Sequence, residues 1–479
     1  MRTTSSICRT FGFVLSAALF VAACGGDNSA TDTTDATAAP STEGPPVTES
    51  APTTTEPAAA IAVPADYATI QAAVDAAAPG DLILISPGTY NEAVNVETDN
   101  LTIRGLDRNT VILDGQFELD NGIRVLGADG VAIENMTAMN YTNNGFFWTG
   151  ATGYRGSYLT AWRNGDYGVY AFDSVKGQLD NSYAAGSPDA GFYIGQCYPC
   201  DAVIDNVVSE HNGLGYSGTN SGGNLLIINS RFNNNRAGVV PNSGSYELCY
   251  PERETTIVGN LVYSNNQPDT PAIDVAILAM GNGILSAGGV ANLIERNQVW
   301  DHDRVGIGLV PFLEEGANDD EPTPEEWTIP CSETKNQPPA AVIPDVILWD
   351  SKNNVVRGNV LSDNRLGDIG IGSAGTDLST LGNCFEDNTY EFTSPPDIDQ
   401  LAPCGFDTFG DLNTGAVDVV AWLVEQPTMP PSIDYKIAPL PDMPLLENMP
   451  DAAIAKANPA TNVPFAVDLA AITVPAKPI

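Results

Sequence analysis

Gly168-Val169-Tyr170 and Gly191-Phe192-Tyr193 are two copies of one pattern, and the distance between them decides the fold. A glycine followed by an apolar residue recurs as Gly145-Phe146, Gly168-Val169, Gly191-Phe192, Gly215-Tyr216 and Gly238-Val239, at steps of 23 or 24 residues. The glycine returns at Gly283, Gly306 and Gly367 after gaps of 45, 23 and 61, each long gap being one coil plus an insertion. A second marker, Asn-x-(Val/Leu/Phe)-x-x-(Asn/His), runs through the same stretch. It reads Asn206-Val208-His211, Asn260-Val262-Asn265, Asn297-Val299-His302, Asn359-Leu361-Asn364 and Asn383-Phe385-Asn388, and Asn135 and Asn229 fit it with the apolar residue displaced by one.

A repeat of this length means stacked units, each burying its apolar side only against its neighbours. The units are short, dense in Gly and Asn, and alternate apolar with polar residues, which argues against a helical repeat. Three short strands and their turns fit in one unit, because a strand rises about 3.3 Å per residue. Asparagine suits the turns because it tolerates left-handed backbone and can bond its own main chain. Stacked coils would then align like residues in columns, with Asn side chains bonding up and down.

This pattern resembles the right-handed parallel β-helix superfamily that includes the pectate and alginate lyases, over roughly residues 62–395. The resemblance implies an all-β solenoid with an N-terminal capping helix and an irregular C-terminal cap and tail. The segment Ser187-Pro188-Asp189-Ala190-Gly191-Phe192-Tyr193-Ile194-Gly195-Gln196 and its neighbours are similar to a family of bacterial β-helix lipoproteins. That likeness implies a fold and a cellular address, and no reaction.

The address is written at the N-terminus. Arg2 and Arg9 precede an apolar run over 11–23, which ends Val21-Ala22-Ala23-Cys24-Gly25 and resembles a bacterial lipobox. The run is too short to span a bilayer comfortably. Residues 1–24 are expected to be a lipoprotein signal peptide, with Cys24 becoming the lipid-bearing N-terminus and anchoring the chain to the cell envelope. Residues 25–60 are mostly Thr, Ala, Pro, Ser, Asp and Glu, and are expected to be a disordered tether, on the order of 30 Å end to end. The β-helix is expected over 61–395 and the cap and tail over 396–479.

Formal net charge is −40, with 20 Lys and Arg among 479 residues. Such a chain repels nucleic acid and anionic lipid surfaces. It would repel a polyuronate too, unless calcium or a local basic patch intervened.

An amphipathic helix is expected over 65–78, capped by Asp66, with Tyr67, Ile70 and Val74 on one face. It would cover the open end of the solenoid, whose unpaired edge would otherwise recruit another chain. Insertions at 243–256 and 314–344 both leave just after the first strand of a coil, so they should project from one side. Residues 415–426 are expected to form a helix over the C-terminal end, followed by an extended Pro-rich tail.

Cys8 would leave with the signal and Cys24 would take lipid, leaving six cysteines, an even count in an exported protein that suggests disulfides. The expected pairs are Cys249–Cys331 between the insertions, Cys384–Cys404 between the last coil and the cap, and Cys197–Cys200 within a local loop. A redox role for Cys197-x-x-Cys200 lacks its βαβ setting. No metal site is expected, since ligand spacing for zinc is absent.

Candidate chemistry is sparse. His302 sits in Trp300-Asp301-His302-Asp303-Arg304, which is superficially similar to the acidic-histidine motif of alginate epimerases. Yet His211 and His302 both fall in the last slot of the Asn repeat, so both are expected to be ladder residues about three coils apart. Asp166, Asp173, Asp189, Asp205 and Asp301 could form carboxylate pairs between coils, but none is singled out by spacing. Phe147, Tyr170 and Tyr193 each stand two residues after a repeat glycine, so strand alternation should stack them outward as a glycan-contact strip. The acidic insertion over 314–326 offers clustered oxygens for Ca2+ without the spacing of a known loop, and a solvated loop is expected instead. The reading is a membrane-anchored, cell-surface scaffold that binds a polysaccharide or an envelope protein without catalysis. The alternative is a polysaccharide lyase, epimerase or hydrolase.

Overall fold

The computed structural model describes residues 60–317, 320–323, 326–334, 345–460 and 466–478. The expected leader, Cys24 and nearly all of the expected tether lie outside them. The described chain is a right-handed parallel β-helix, with paired strands running parallel in a 20-stranded and a 12-stranded sheet. Each coil contributes to three walls. On the third wall, Phe146–Thr149, Val169–Phe172, Ala190–Gly195, Leu214–Thr219, Ala237–Asn242, Ile284–Ala287, Val305–Val310 and Gly367–Ser373 pair in that order.

Register explains the repeat. Phe146, Val169, Phe192, Tyr216, Val239, Ile284, Ile307 and Ile369 form one inward column, and every member is fully buried. Burying each such side chain is worth about 1.5–3 kcal/mol. The repeat glycines from Gly145 to Gly306 stand one residue earlier, where coils approach most closely; Gly367 instead stands two residues before Ile369, with Asp368 in the slot. A Cβ on Gly168 would lie 2.6 Å from the carbonyl oxygen of Gly191, and one on Gly145 would lie 2.7 Å from that of Gly168.

The asparagines form three ladders. Asn260, Asn297 and Asn359 each donate their backbone N–H to the side-chain oxygen of the next rung, ending on Asn388. Asn292, Asn354 and Asn383 build a second ladder in the same way. The third runs Asn212, Asn235, Asn265, His302 and Asn364. Each late coil therefore supplies three rungs five residues apart, such as Asn292, Asn297 and His302.

This register corrects the sequence reading at six residues. His211 is not a rung; it adopts a left-handed turn (φ 59°) one residue before Asn212, which is. Asn206, Asn135 and Asn229 occupy left-handed corners as well, with φ of 53°, 57° and 50°. Asn383 and Asn388 bond to Asn354 and Asn359, one slot away from the alignment the motif suggested.

The ends also differ from expectation. The N-terminal helix is Ile70–Ala76, capped by the Thr69 side chain accepting from Ala72 N–H; Asp66 instead accepts from Ala62 N–H. Thr69 wins because a cap must sit next to the first turn whose donors it satisfies. The C-terminal helix is Val419–Glu425, and it lies on the outer face of the third wall. Its Val419 and Trp422 pack with Val240, Leu285 and the helix Asp274–Leu278 there. The core is closed at that end by Leu378, Leu381, Ile398, Ala402 and Leu412.

Disulfides join Cys197 to Cys200, Cys249 to Cys331 and Cys384 to Cys404. The tail packs along the solenoid. Carbonyls of Ala455 and Lys456 accept from Arg104, that of Glu447 from Arg108, and those of Pro430 and Pro431 from Arg236.

Candidate functional site

Phe147, Tyr170 and Tyr193 are direct register partners on three adjacent strands, and all three leave the third wall on its outer side. The Phe147 and Tyr170 rings stack with centroids 4.7 Å apart. Tyr167 joins them, lying parallel to Tyr170 at 4.3 Å and 4°. Phe147, Tyr167 and Tyr170 are half-buried, so they form an aromatic ledge reaching solvent.

Tyr193 does not. It is only 1% exposed, turns edge-on to Tyr170 at 4.9 Å, and its hydroxyl lies 2.7 Å from both oxygens of Glu247. The expected outward strip is therefore corrected at its third member. The 243–256 insertion folds back over it, because Asn220 donates to the carbonyls of Gly244 and Glu247, and Gln196 accepts from Leu248 N–H. Glu314 of the other insertion accepts from Ser245 N–H, Ser245 Oγ and Trp349 Nε1. The Cys249–Cys331 bond lies between the two insertions. Cys197–Cys200 closes the loop before the strand Ala202–Asp205, and Cys384–Cys404 ties the last coil to the C-terminal cap.

Three carboxyl groups crowd the ledge. Asp166 and Asp189 occupy one slot in adjacent coils, with Asp189 N–H bonded to the Asp166 carbonyl. Burial raises both above the ordinary aspartate range; the charge of Asp166 pushes Asp189 further, against the Tyr167 hydroxyl. Burial pushes Glu247 up to about 8, the Tyr193 hydroxyl opposing and Asp189 adding. Among the described residues none of the three has an ion pair. Arg124, the next register partner beyond Phe147, is engaged by Asp120 at 3.5 Å. Carboxyls whose pKa values are raised by burial beside a surface ledge are candidates for handling a ligand or a proton.

The other candidates fall elsewhere. Asp173 and Asp301 sit at left-handed turns, with φ of 53° and 61°, and Asp205 accepts from Asn229 at a first-wall corner. His302 is 2% exposed between Asn265 and Asn364, and burial pulls it down to about 4, so it stands neutral as a rung. In the acidic insertion Glu314 is occupied as above, Glu321 pairs with Lys352, and Glu326 accepts from Thr323. Residues 318–319 and 324–325 lie outside the described residues. No group of three or more His, Cys, Asp or Glu among the described residues converges to hold a metal.

Tyr167 and the Asp166–Asp189 pairing were missed from sequence, although a signal existed. Asp120, Asp166 and Asp189 each stand two residues before a glycine of the column, and Tyr167 stands one before. Glu247 belongs to an insertion and has no periodic signal.

The family model for the right-handed beta helix region matches residues 121–311. Among solved structures, the A-module of the Azotobacter vinelandii mannuronan C-5 epimerase AlgE4 is similar with a TM-score of 0.43 and 16% identity, covering 67% of this chain and 90% of its own. The alginate lyase from Paenibacillus sp. str. FPU-7 gives 0.41 and 15%, covering 72% and 95%; the pectate lyase Pel9A gives 0.38 and 12%, covering 82% and 89%. No curated protein matches in sequence.

Proposed function

We propose that this right-handed parallel β-helix is a lipid-anchored envelope protein that binds a glycan on the third wall without transforming it. The observation that carries this reading is the ledge of Phe147, Tyr170 and Tyr167, in which Phe147 and Tyr167 each stack on Tyr170 and all three rings are only partly buried. Flat aromatic faces match the C–H faces of sugars, and Tyr keeps its hydroxyl available for a sugar hydroxyl. Asp166 and Glu247 beside the rings supply further polar contacts. Anchoring rests on Cys24 within its lipobox-like sequence, and the tether would hold the solenoid away from the membrane. Binding to an array of immobilised glycans tests the site: Tyr170→Ala should remove the signal of at least one bound glycan, and an array profile identical to the parent's would discard the ledge. A Cys24→Ser variant should appear in the soluble fraction instead of the membrane.

A second reading, a polysaccharide-active enzyme, is favoured by one observation. Asp166 and Asp189 share a slot in adjacent coils and are both biased toward the protonated form, a starting point for acid–base work on a glycosidic bond. Incubation with a panel of polysaccharides separates the readings. New reducing ends or unsaturated uronate, lost in Asp189→Asn, would favour the enzyme.

A further inference from the structure

The second wall, in which Tyr183–Ala185, Val208–Glu210, Arg231–Asn233, Leu261–Tyr263, Gln298–His302 and Val360–Asn364 pair in that order, carries another aromatic platform, far along the chain from the first. Tyr263 and Trp300 are register partners on adjacent strands, with rings 4.3 Å apart and 10° from parallel, and both are half-buried. The same outward column continues through Asn233 and Glu210, and the neighbouring column holds Val208, Arg231 and Leu261.

The C-terminal tail turns the neighbouring column of Val208, Arg231 and Leu261 into a groove, with the aromatic column running alongside it. It passes once at Leu446 and Glu447, then again at 471–475. The two passes wall adjoining depressions of about 200 and 650 Å³. Both share Asn206 and Val208 as floor, with Tyr183 on one side and Arg231 and Leu261 on the other. Lys477 ends the groove with its ammonium 4.9 Å from the Trp300 ring centroid, held by Ser362 Oγ.

Two buried polar atoms on the strand Arg231–Asn233, whose Arg231 lines the larger depression, are left without partners. Asn233 is 2% exposed; its Nδ2 donates to Glu210, but its Oδ1 accepts nothing. Arg231 Nε donates to nothing, and Arg231 has no ion pair among the described residues. Glu210 is filled by Asn233 and the Tyr183 hydroxyl. An orphaned acceptor beside an orphaned donor is costly unless a ligand completes both. A hydroxyl can do so, being donor and acceptor at once. Arg231 and Glu210 balance in charge, so the floor does not select an anion, and the chain's net −40 opposes one.

We propose that this groove binds a neutral oligosaccharide, with Tyr263 and Trp300 against a sugar face and Arg231 and Asn233 taking its hydroxyls. It is a site distinct from the third-wall ledge and does not depend on it. The test is calorimetric titration of the full-length protein in detergent with cellohexaose, xylohexaose, mannohexaose and maltohexaose, and with a hexagalacturonate. The expected result is that at least one neutral hexamer binds, and that Trp300→Ala and Arg231→Gln each weaken it tenfold or more at this site. Tyr170→Ala should leave that binding unchanged, so failure of the ledge and failure of the groove are told apart. Matching melting curves for Arg231→Gln and the parent exclude misfolding as the cause. The proposal is overturned if both groove variants bind as the parent does, if only Tyr170→Ala removes binding, if hexagalacturonate alone binds through Trp300, or if no neutral hexamer binds.

Discussion

His302 does the work of an asparagine with a different side chain. Its two ring nitrogens face Asn265 at 3.2 Å and Asn364 at 2.7 Å, completing a ladder whose other rungs are amides. Burial lowers its pKa from 6.5 to about 4, so between these pH values the folded protein holds it neutral while the unfolded chain protonates it. A base whose pKa is depressed by folding contributes stability that is intact above 6.5 and is lost as pH falls toward 4. The loss approaches roughly 3 kcal/mol at one pKa unit per 1.4 kcal/mol. His302→Asn should keep stability at pH 7 within about 1 kcal/mol and remove that decline, measured by urea unfolding at several pH values. Glu247 runs in the opposite direction. Its pKa rises from 4.5 to about 8, so its stabilising effect is full in acid and is lost as pH rises through about 8. Glu247→Gln should therefore flatten the fall in melting temperature between pH 5 and 8.5. An unchanged slope would mean the carboxyl is solvated.

Among the elements, the third-wall strands carry the strictest demand. Their glycines are required by approach and not by unusual dihedrals: the Gly168 Cβ position lies 2.6 Å from the next coil's carbonyl oxygen. Gly168→Ala must push two coils apart, and should cost about 1–3 kcal/mol, the usual range for overpacking. Thermal melts of Gly168→Ala beside Gly127→Ala make the comparison, because Gly127 has open space around it but a left-handed φ of 61°. The first should suffer from contact and the second only from backbone strain. The insertions obey different rules. Residues 243–256 are held by Asn220, Gln196 and Glu314, and by the Cys249–Cys331 bond across 82 residues. Closing a loop of that size restricts the unfolded chain by roughly 4 kcal/mol at most. A Cys249→Ala/Cys331→Ala double variant should be cut by protease within 243–256 while the solenoid survives.

For the molecule as a whole, the tail is structural. Its backbone carbonyls accept from the buried guanidinium groups of Arg104 and Arg236, so removing it leaves Arg104 with Glu134 alone and Arg236 with only the carbonyls of Pro268 and Thr270. It also covers Trp162 and Tyr183 through Leu440, Met443 and Leu446, and Val203, Ile228 and Val258 through Val467, Leu469 and Ile472. A chain stopped after Thr428 should melt lower by roughly 5 °C or more and bind a hydrophobic dye. Equal melting would show that the tail is merely laid down on a finished solenoid.

The 23-residue glycine period determined the parallel β-helix by itself, because coils that stack must place like residues at like depth. The same logic made Phe147 and Tyr170 legible as an outward pair and His302 legible as a rung. It could not separate His211 from His302, since a one-residue shift of the corner leaves the local motif intact while moving the side chain off the ladder. Nor could it find the lid over Tyr193, the acid cluster with Glu247, or the groove between the two tail passes. Those arise where aperiodic segments, the insertions and the tail, fold back across the periodic body. Such contacts join residues far apart in the chain and leave no recurring mark in it, so only the tertiary structure decided them.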